Sequence, residues 1–154
     1  MRKRPGDSGF TLIEMIVTVA LVAIIASVAT PFAKMHGQRE KERELKAVLR
    51  EIRAAIDAYK QAGDEGRIAR SLDSTGYPAS LDELVIGVAD QRDPKGKKIY
   101  FLRRVPRDPM NPHGNWGTRS YASEPDDPRE GADVYDVFSL SDRNGINGIA
   151  YREW

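Results

Sequence analysis

The sequence contains no cysteine and only two histidines among its 154 residues. The lack of cysteine excludes disulfides and zinc sites that depend on thiolates, and the scarcity of histidine disfavours histidine-based metal or acid–base sites. The formal net charge is only +1, so no strong field indicates a nucleic acid or an acidic surface as a partner. The motifs of P-loop, serine-hydrolase, zinc-protease and dinucleotide-binding proteins are also missing from the sequence. We therefore expect neither an enzyme nor a nucleic-acid partner.

One basic cluster is interleaved with aromatic residues, in the manner of a surface for single-stranded nucleic acid. Its members, next to Tyr100 and Phe101, are Lys95, Lys97, Lys98, Arg103, Arg104 and Arg107. A solvated strand edge, protected by charge against pairing with other strands, explains the same residues better.

The most prominent feature of the sequence is a long apolar segment, residues 10–32. A helix needs about 20 residues to cross the hydrocarbon core of a bilayer. Arg2, Lys3 and Arg4 precede the segment, and positive charge on that flank predicts a single-pass protein with a cytoplasmic N-terminus. A cleaved secretory signal peptide is disfavoured, because the apolar stretch is too long and no small-residue cleavage pattern follows it.

A single acid, Glu14, interrupts the apolar segment. A carboxylate near the bilayer centre costs roughly 2.5–3.5 kcal/mol on insertion scales, and intramembrane acids usually have a partner. Gly9 stands directly before Phe10, and a cut between them would create an α-amine able to pair with a carboxylate in apolar surroundings. A plain membrane anchor has no use for this acid.

The stretch from Gly9 to Glu14, GFTLIE, follows a basic leader and begins the apolar segment. It resembles the class III signal of type IV pilins and of the pseudopilins of type II secretion. The resemblance implies that a prepilin peptidase cuts between Gly9 and Phe10 and N-methylates Phe10. It also implies that Glu14 pairs with the methylated amine of a neighbouring subunit during filament assembly. Pro31 lies where the family often has a proline that loosens the helix, and a kink is expected there.

Helical periodicity continues beyond the apolar segment, through residues 33–62. Larger apolar side chains recur there every three or four residues and predict one buried face: Leu45, Val48, Leu49, Ile52, Ile56 and Tyr59. The predicted organisation is a cleaved leader at 1–9, a transmembrane and filament-core helix at 10–32 and an amphipathic continuation at 33–62. Residues 63–154 form a small periplasmic α/β-sheet region that completes one globular domain.

Short elements separated by loops are predicted after the long helix. Ser80 and Glu83 have the spacing of a capping box and predict a short helix. Strands are predicted at 98–105, 118–123 and 133–141, with a last edge strand at 149–154. The predicted fold class is α+β and pilin-like, with a long N-terminal α-helix packed on a small antiparallel β-sheet.

The C-terminal region is similar to the major pseudopilin of type II secretion. The similarity rests on Tyr77-Pro78, Val105-Pro106, Asp108-Pro109 and the strand Tyr135–Ser139, whereas Met110 replaces the family's tryptophan. It implies a homo-oligomeric helical filament, assembled from the bacterial inner membrane into the periplasm to drive protein export across the outer membrane. The implied partners are minor pseudopilins, the prepilin peptidase and an inner-membrane assembly platform.

Two other interpretations remain open. A type IV pilin, as a minor or DNA-uptake subunit, shares the N-terminal motif, but type IV pilins usually close a C-terminal loop with a disulfide that this chain cannot form. A membrane-tethered periplasmic enzyme or binding domain would need a pocket with convergent polar groups, which the sequence does not indicate.

The loop at residues 139–148 is rich in oxygen side chains and glycine, as a calcium ligand set would be. The major pseudopilins bind calcium in this loop. By resemblance, Leu140 would offer its carbonyl, and Asp142 or Asn144 would replace the first family acid. The second family acid has no counterpart. Turns without metal, at Asn144-Gly145 and Asn147-Gly148, explain the same residues, because Asn-Gly pairs favour turns with positive φ.

Overall fold

The structure is a computed structural model that describes residues 11–71, 74–124 and 126–154, without the side chains of residues 28–34. Contacts divide the chain into two units, Met1–Arg39 and Glu40–Trp154. In chain order the elements are α1 (Leu12–Asp64), α2 (Leu81–Ile86), β1 (Val88–Ala89), β2 (Lys98–Ile99), β3 (Trp116–Arg119), β4 (Asp136–Ser139) and a 3₁₀-helix (Tyr151–Glu153). Helix α1 contributes residues to both units.

The second unit has a single hydrophobic core built on one face of α1. Five of the six side chains in the predicted apolar stripe are buried, and Val48 packs against the core from its margin. The residues that cover this face from the rest of the unit are Ile68, Leu84, Leu102, Met110, Trp116, Val134, Val137 and Tyr151. The periodicity of the sequence therefore identified the buried face of the helix correctly.

The strands form two antiparallel pairs, β1 with β2 and β3 with β4. In the second pair Gly117 lies opposite Phe138, and a Cβ atom on Gly117 would collide with the Phe138 ring. Glycine at this position therefore leaves room for the ring across β3. The long helix with small antiparallel sheets confirms the predicted α+β, pilin-like fold.

All four predicted strands differ from the structure in their bounds. The predicted 118–123 overlaps β3 only at residues 118–119, and β4 occupies residues 136–139 of the predicted 133–141. Strand β2 covers only Lys98–Ile99 of the predicted 98–105, because the amides of Phe101 and Leu102 both donate to the Leu84 carbonyl at the end of α2. The predicted edge strand at 149–154 is wrong. Its residues 151–153 form a 3₁₀-helix that buries the Tyr151 side chain in the core.

Helix α2 begins after Ser80 as predicted, but the capping box does not form. The Ser80 side chain makes no capping hydrogen bond. The Glu83 carboxylate instead accepts from the amide of Ala79 at 2.8 Å and from the Tyr59 hydroxyl at 2.9 Å. Burial and this bond to Glu83 raise the pKa of Tyr59 to about 12. Glu83 thus links the start of α2 to α1.

A buried carboxylate, Asp133, organises the chain before β4. It accepts hydrogen bonds from the Thr75 hydroxyl, from the Ser120 hydroxyl at 2.7 Å and from the Tyr121 amide at 2.9 Å. Burial alone would raise the pKa of Asp133, but these hydrogen bonds outweigh it and hold the pKa below its usual value. The ionised carboxylate is therefore part of the folded structure.

Candidate functional site

Helix α1 begins with a cap that connects Glu14 to the preceding residues. The amide of Glu14 donates to the Thr11 hydroxyl at 3.3 Å, and the amide of Met15 donates to the Thr11 carbonyl at 3.2 Å. Thr11 is thus the N-cap, and Glu14 stands three residues later, in the spacing of a capping box. Sequence reasoning missed this role of Thr11, although the pattern Thr-x-x-Glu was there to indicate it.

The position of Glu14 in the first turn also reduces the cost of its charge. The unpaired amides at a helix N-terminus carry partial positive charge, and an acid there is stabilised by about 0.3–1 kcal/mol at exposed sites. Within the residues that the structure describes, the Glu14 carboxylate makes no ion pair. The partial charge at the start of α1 is therefore the favourable electrostatic contact that the described residues offer this carboxylate.

The first half of α1 exposes apolar side chains on every face. The large ones among residues 12–27 are Leu12, Ile13, Met15, Ile16, Val17, Val19, Leu21, Val22, Ile24 and Ile25, and all are exposed. A soluble monomer does not normally expose a contiguous apolar surface of this kind. The segment therefore requires lipid or other protein around it.

The hydroxyl groups of this segment are compatible with such surroundings. Thr18 donates to the carbonyl of Met15 at 2.9 Å, and Ser27 donates to the carbonyl of Ile24 at 2.7 Å. Polar groups in an apolar environment must find hydrogen-bond partners internally, and both of these hydroxyls do so within the helix.

Three of the predicted site residues cannot be compared with the structure. Gly9 and Phe10, and the side chain of Pro31 with its expected kink, lie outside the described residues. Part of the predicted transmembrane segment, 10–32, lies outside them as well. A search of the described residues finds no helix that is both long enough and apolar enough to span a membrane.

The loop at 139–148 is a turn closed by its own backbone. The amide of Gly148 donates to the carbonyl of Gly145 at 2.9 Å, and Gly148 has a φ of +81°. Gly148 therefore has the positive φ predicted for the second Asn-Gly pair, although the turn itself is centred on Ile146 and Asn147. The expected positive φ at Asn144-Gly145 is wrong, because neither residue has one. Gly145 instead allows close packing of Trp154, whose ring a Cβ would approach to 2.5 Å.

The predicted calcium ligands are positioned less favourably than a metal would require. Leu140, Asp142 and Asn144 are exposed, and Asn144 forms a β-bridge with Ala150. Asp142 is the loop's only carboxylate, and the described residues contain no cluster of three histidine, cysteine or acidic side chains that could hold a metal. Calcium prefers six to eight oxygen ligands, so main-chain carbonyls would have to supply most of them.

Two side chains of α1 attach the C-terminal residues to the helix, and sequence reasoning missed both. Glu42 accepts from the amide of Ile146 at 2.8 Å and from the Tyr151 hydroxyl at 3.0 Å. Arg53 pairs with Asp136 at 2.7 Å. In the sequence both belong to a run of alternating charges, and only the fold distinguishes them from their solvated neighbours.

Comparison with known proteins gives this geometry a context. Residues 4–30 match the family model described as the prokaryotic N-terminal methylation motif. The chain is 32% identical over 116 residues to the type II secretion system core protein G of Pseudomonas aeruginosa. The aligned stretch covers 72% of this chain and 74% of the relative. The protein of the same name from Vibrio cholerae is 29% identical over 145 residues, covering 91% of this chain and 84% of the relative.

A third relative agrees. The type II secretion system core protein G of Aeromonas hydrophila is 32% identical over 120 residues, which cover 73% of this chain and 74% of the relative. No solved structure matches the chain. Three observations agree. The N-terminal motif is of the prepilin type, and the first half of α1 exposes apolar side chains and has an acid in its first turn. Relatives of one name match most of the chain. The chain belongs to the family of the type II secretion system core protein G, the major pseudopilins.

Proposed function

We propose that this chain is cut between Gly9 and Phe10 by a prepilin peptidase, N-methylated at Phe10 and then assembled as a non-enzymatic subunit of the type II secretion pseudopilus. Membership of the core protein G family and the methylation motif at 4–30 support this function. The observation that carries it is the exposed apolar surface of α1, with a carboxylate in its first turn that makes no ion pair within the described part of the chain. A free soluble monomer does not normally expose such a surface.

Before assembly, residues 10–32 would span the bacterial inner membrane once, with the N-terminus cytoplasmic and residues 63–154 in the periplasm. The apolar side chains from Leu12 onward would face lipid. Lipid is as apolar as leucine, so burial of these side chains against a second helix gives little hydrophobic gain. Assembly therefore depends on packing and on polar contacts that only a neighbouring subunit can supply.

Glu14 would supply the strongest of those polar contacts. Cleavage after Gly9 places the new α-amine of one subunit at its apolar end, where the Glu14 carboxylate of a neighbour can neutralise it. An attraction between opposite charges is much stronger in an apolar core than in water. The pair would therefore set the axial register of the subunits in a homo-oligomeric helical filament.

The filament would grow from an inner-membrane assembly platform, with minor pseudopilins as further partners, and would drive protein export across the outer membrane. In this arrangement residues 10–32 form the filament core, and residues 33–62 continue the helix into the globular domain. The exposed apolar side chains in the first half of α1 support a role in the filament core. The hydrophobic core of the second unit supports its role as the globular domain.

Calcium at Leu140, Asp142 and Asn144 is a further proposal for the loop at 139–148, and a metal-free turn is its alternative. Bound calcium would stabilise the folded chain by an amount that grows with the logarithm of the free calcium concentration above its Kd. A urea titration with calcium and with excess chelator distinguishes the two, with Asp142→Asn as the variant. A calcium-dependent rise in the midpoint that Asp142→Asn abolishes is expected. Equal midpoints under both conditions would leave the turn without metal.

Substitution of Glu14 tests the proposed function. Glu14→Leu removes the costly charge, so the chain should insert into the membrane and be processed normally, but filaments and secretion should be lost. Val17→Leu, an apolar exchange in the same helix, is the control and should assemble. The readouts are the mass of the chain in the membrane fraction and the amount of sheared filament. Normal filament assembly by Glu14→Leu would contradict the proposed role of the carboxylate.

A further inference from the structure

Three tyrosine rings form a cluster at the surface of the second unit, which we call the tyrosine platform: the half-buried Tyr77 and the exposed Tyr121 and Tyr135. Tyr77 stacks on Tyr121 with ring centroids 5.6 Å apart, and Tyr135 meets both rings edge-on, at 5.1 Å from Tyr77 and 5.5 Å from Tyr121. Tyr121 is 60% exposed and Tyr135 is 40% exposed. Large aromatic rings are enriched at protein interfaces, and three in mutual contact are more than a scattered exposed residue.

The backbone holds the platform in place before any partner binds. The amide of Tyr121 donates to Asp133 at 2.9 Å, and the amide of Tyr135 donates to the carbonyl of Arg119 at 2.8 Å. Next to Tyr77, the carbonyl of Pro78 accepts from the amide of Val134 at 2.8 Å. Rings fixed on ordered backbone lose little conformational entropy when they bind. The platform is therefore preorganised for a contact.

The electrostatic surroundings favour a cation on the platform. Burial raises the pKa of Tyr77, and the neighbouring Tyr135 and the carboxylate of Asp57 raise it further. Asp57 is exposed, and within the described residues it makes no hydrogen bond or ion pair through its side chain. The Lys60 ammonium lies 5.9 Å from the Tyr77 ring centroid, although it is already paired with Asp64. Negative charge and aromatic faces together attract a guanidinium group.

A matching group exists elsewhere on the same chain. Arg103 and Arg104 are exposed, and neither has a hydrogen-bond or ion-pair partner among the residues that the structure describes. Among the residues that the structure describes, the cation–π contacts are those of Lys60 with Tyr77 and of Lys46 with Trp154. The two arginines therefore do not reach the platform of their own chain.

We propose that the tyrosine platform of one copy of this chain binds Arg103 and Arg104 of a second copy. The contact is head to tail: one copy uses its platform and its neighbour uses the two arginines, so each of them keeps its other patch free. Such a head-to-tail contact produces an open filament where the rotation between neighbouring copies does not close a ring. Reciprocal pairing of both patches between two copies would instead stop at a dimer, so cross-linking that stops at a dimer would overturn the head-to-tail arrangement. The inference rests on the proposed function, since it assigns a lateral contact between globular domains to the filament that Glu14 and the apolar helices begin.

Engineered cysteines test the contact directly, because the chain has no cysteine of its own. Ala122→Cys places a thiol beside the platform without removing a ring, and Arg107→Cys places one three residues from Arg104 without removing either arginine of the contact. Both positions are exposed. Oxidation of membranes that contain the full-length double variant should give a ladder of cross-linked multimers of this chain. Each single variant should give no ladder, although like cysteines can form an occasional dimer.

Matched substitutions in the double-cysteine chain identify the groups responsible. Tyr121→Ala should abolish the ladder and Tyr121→Phe should retain it, since phenylalanine keeps the ring face. Arg104→Glu should abolish it and Arg104→Lys should retain most of it. Misfolding of one variant cannot explain a ladder that is lost in Tyr121→Ala and Arg104→Glu but retained in Tyr121→Phe and Arg104→Lys. A ladder that persists in Tyr121→Ala and Arg104→Glu would overturn the inference, as would adducts with a different protein in place of multimers.

Filament formation by the parent chain, measured separately, distinguishes this inference from the proposed function. Filaments without the ladder would overturn the tyrosine–arginine contact alone. A ladder without filaments would support the contact and contradict the proposed function. Absence of both would overturn both.

Discussion

Arg53 is the side chain whose removal we expect to weaken the second unit most specifically. Its Nε donates to Asp136 at 2.7 Å, and its Nη2 donates to the carbonyl of Val137 at 3.2 Å and to the main-chain oxygen of Trp154 at 2.9 Å. One guanidinium group thus connects α1, β4 and the C-terminal residues. Arg53→Met preserves the apolar stem of the side chain and removes the hydrogen bonds.

The expected loss follows from the exposure of these groups. The side chains of Arg53 and Asp136 are 37% and 29% exposed, so the ion pair itself contributes about 1 kcal/mol or less. Hydrogen bonds from a charged donor contribute about 1.5–3 kcal/mol when buried, and partial solvation lowers this value for the bonds to Val137 and Trp154. We expect Arg53→Met to reduce the free energy of unfolding by about 2 kcal/mol.

Urea titration of the detergent-solubilised chain measures this loss, with the fluorescence of the buried Trp116 as the signal. Arg50→Met is the matched control. Arg50 lies on the same helix, is exposed and has no hydrogen-bond or ion-pair partner among the described residues, so its loss should change stability by less than about 0.5 kcal/mol. Equal effects of the two substitutions would refute the assigned role of Arg53.

Three further substitutions give separate predictions. Asp133→Asn should lower the stability of the chain at neutral pH and flatten the decline of that stability in acid, because the hydrogen-bonded carboxylate has a lowered pKa. The contribution of the carboxylate to stability is complete above its unfolded pKa of about 3.9 and is lost as the pH falls through its folded pKa. Urea midpoints measured across that pH range check this. Glu42→Ala should speed hydrogen exchange at the Ile146 amide, and Glu42→Gln, which keeps an acceptor oxygen, should do so less. Gly117→Ala should cost about 1–3 kcal/mol through its collision with Phe138, and Phe138→Leu should relieve part of that cost in a double-mutant cycle.

The sequence predicted the core of the second unit well because helical periodicity is a local property. A side chain every three or four residues from Leu45 to Tyr59 can form only one face, and that face had to be buried. The same argument does not apply to β2, whose predicted length was wrong. There the carbonyl of Leu84, distant in sequence, captures the amides of Phe101 and Leu102, and no local pattern indicates such a competitor.

At the candidate site the sequence predicted function better than geometry. The motif around Glu14 led to the family that the comparisons identify. The cap from Thr11 was not predicted, because its two residues, Thr11 and Glu14, also belong to that motif. The C-terminal loop shows the opposite limit. Its two Asn-Gly pairs look alike in sequence, but only Gly148 has a positive φ, while Gly145 serves the packing of Trp154. That difference depends on a ring contributed from beyond the loop.

The central claim is that the functional chain begins at Phe10, and that the α-amine of Phe10 pairs with the Glu14 carboxylate of a neighbouring subunit. The mass of the chain, isolated from the membrane of cells with an active prepilin peptidase, tests it most directly. The account predicts a chain that lacks residues 1–9 and carries one additional methyl group on Phe10, and it predicts that Gly9→Leu blocks this processing whereas Gly6→Leu does not. A chain that still begins at Met1 in such cells would contradict it.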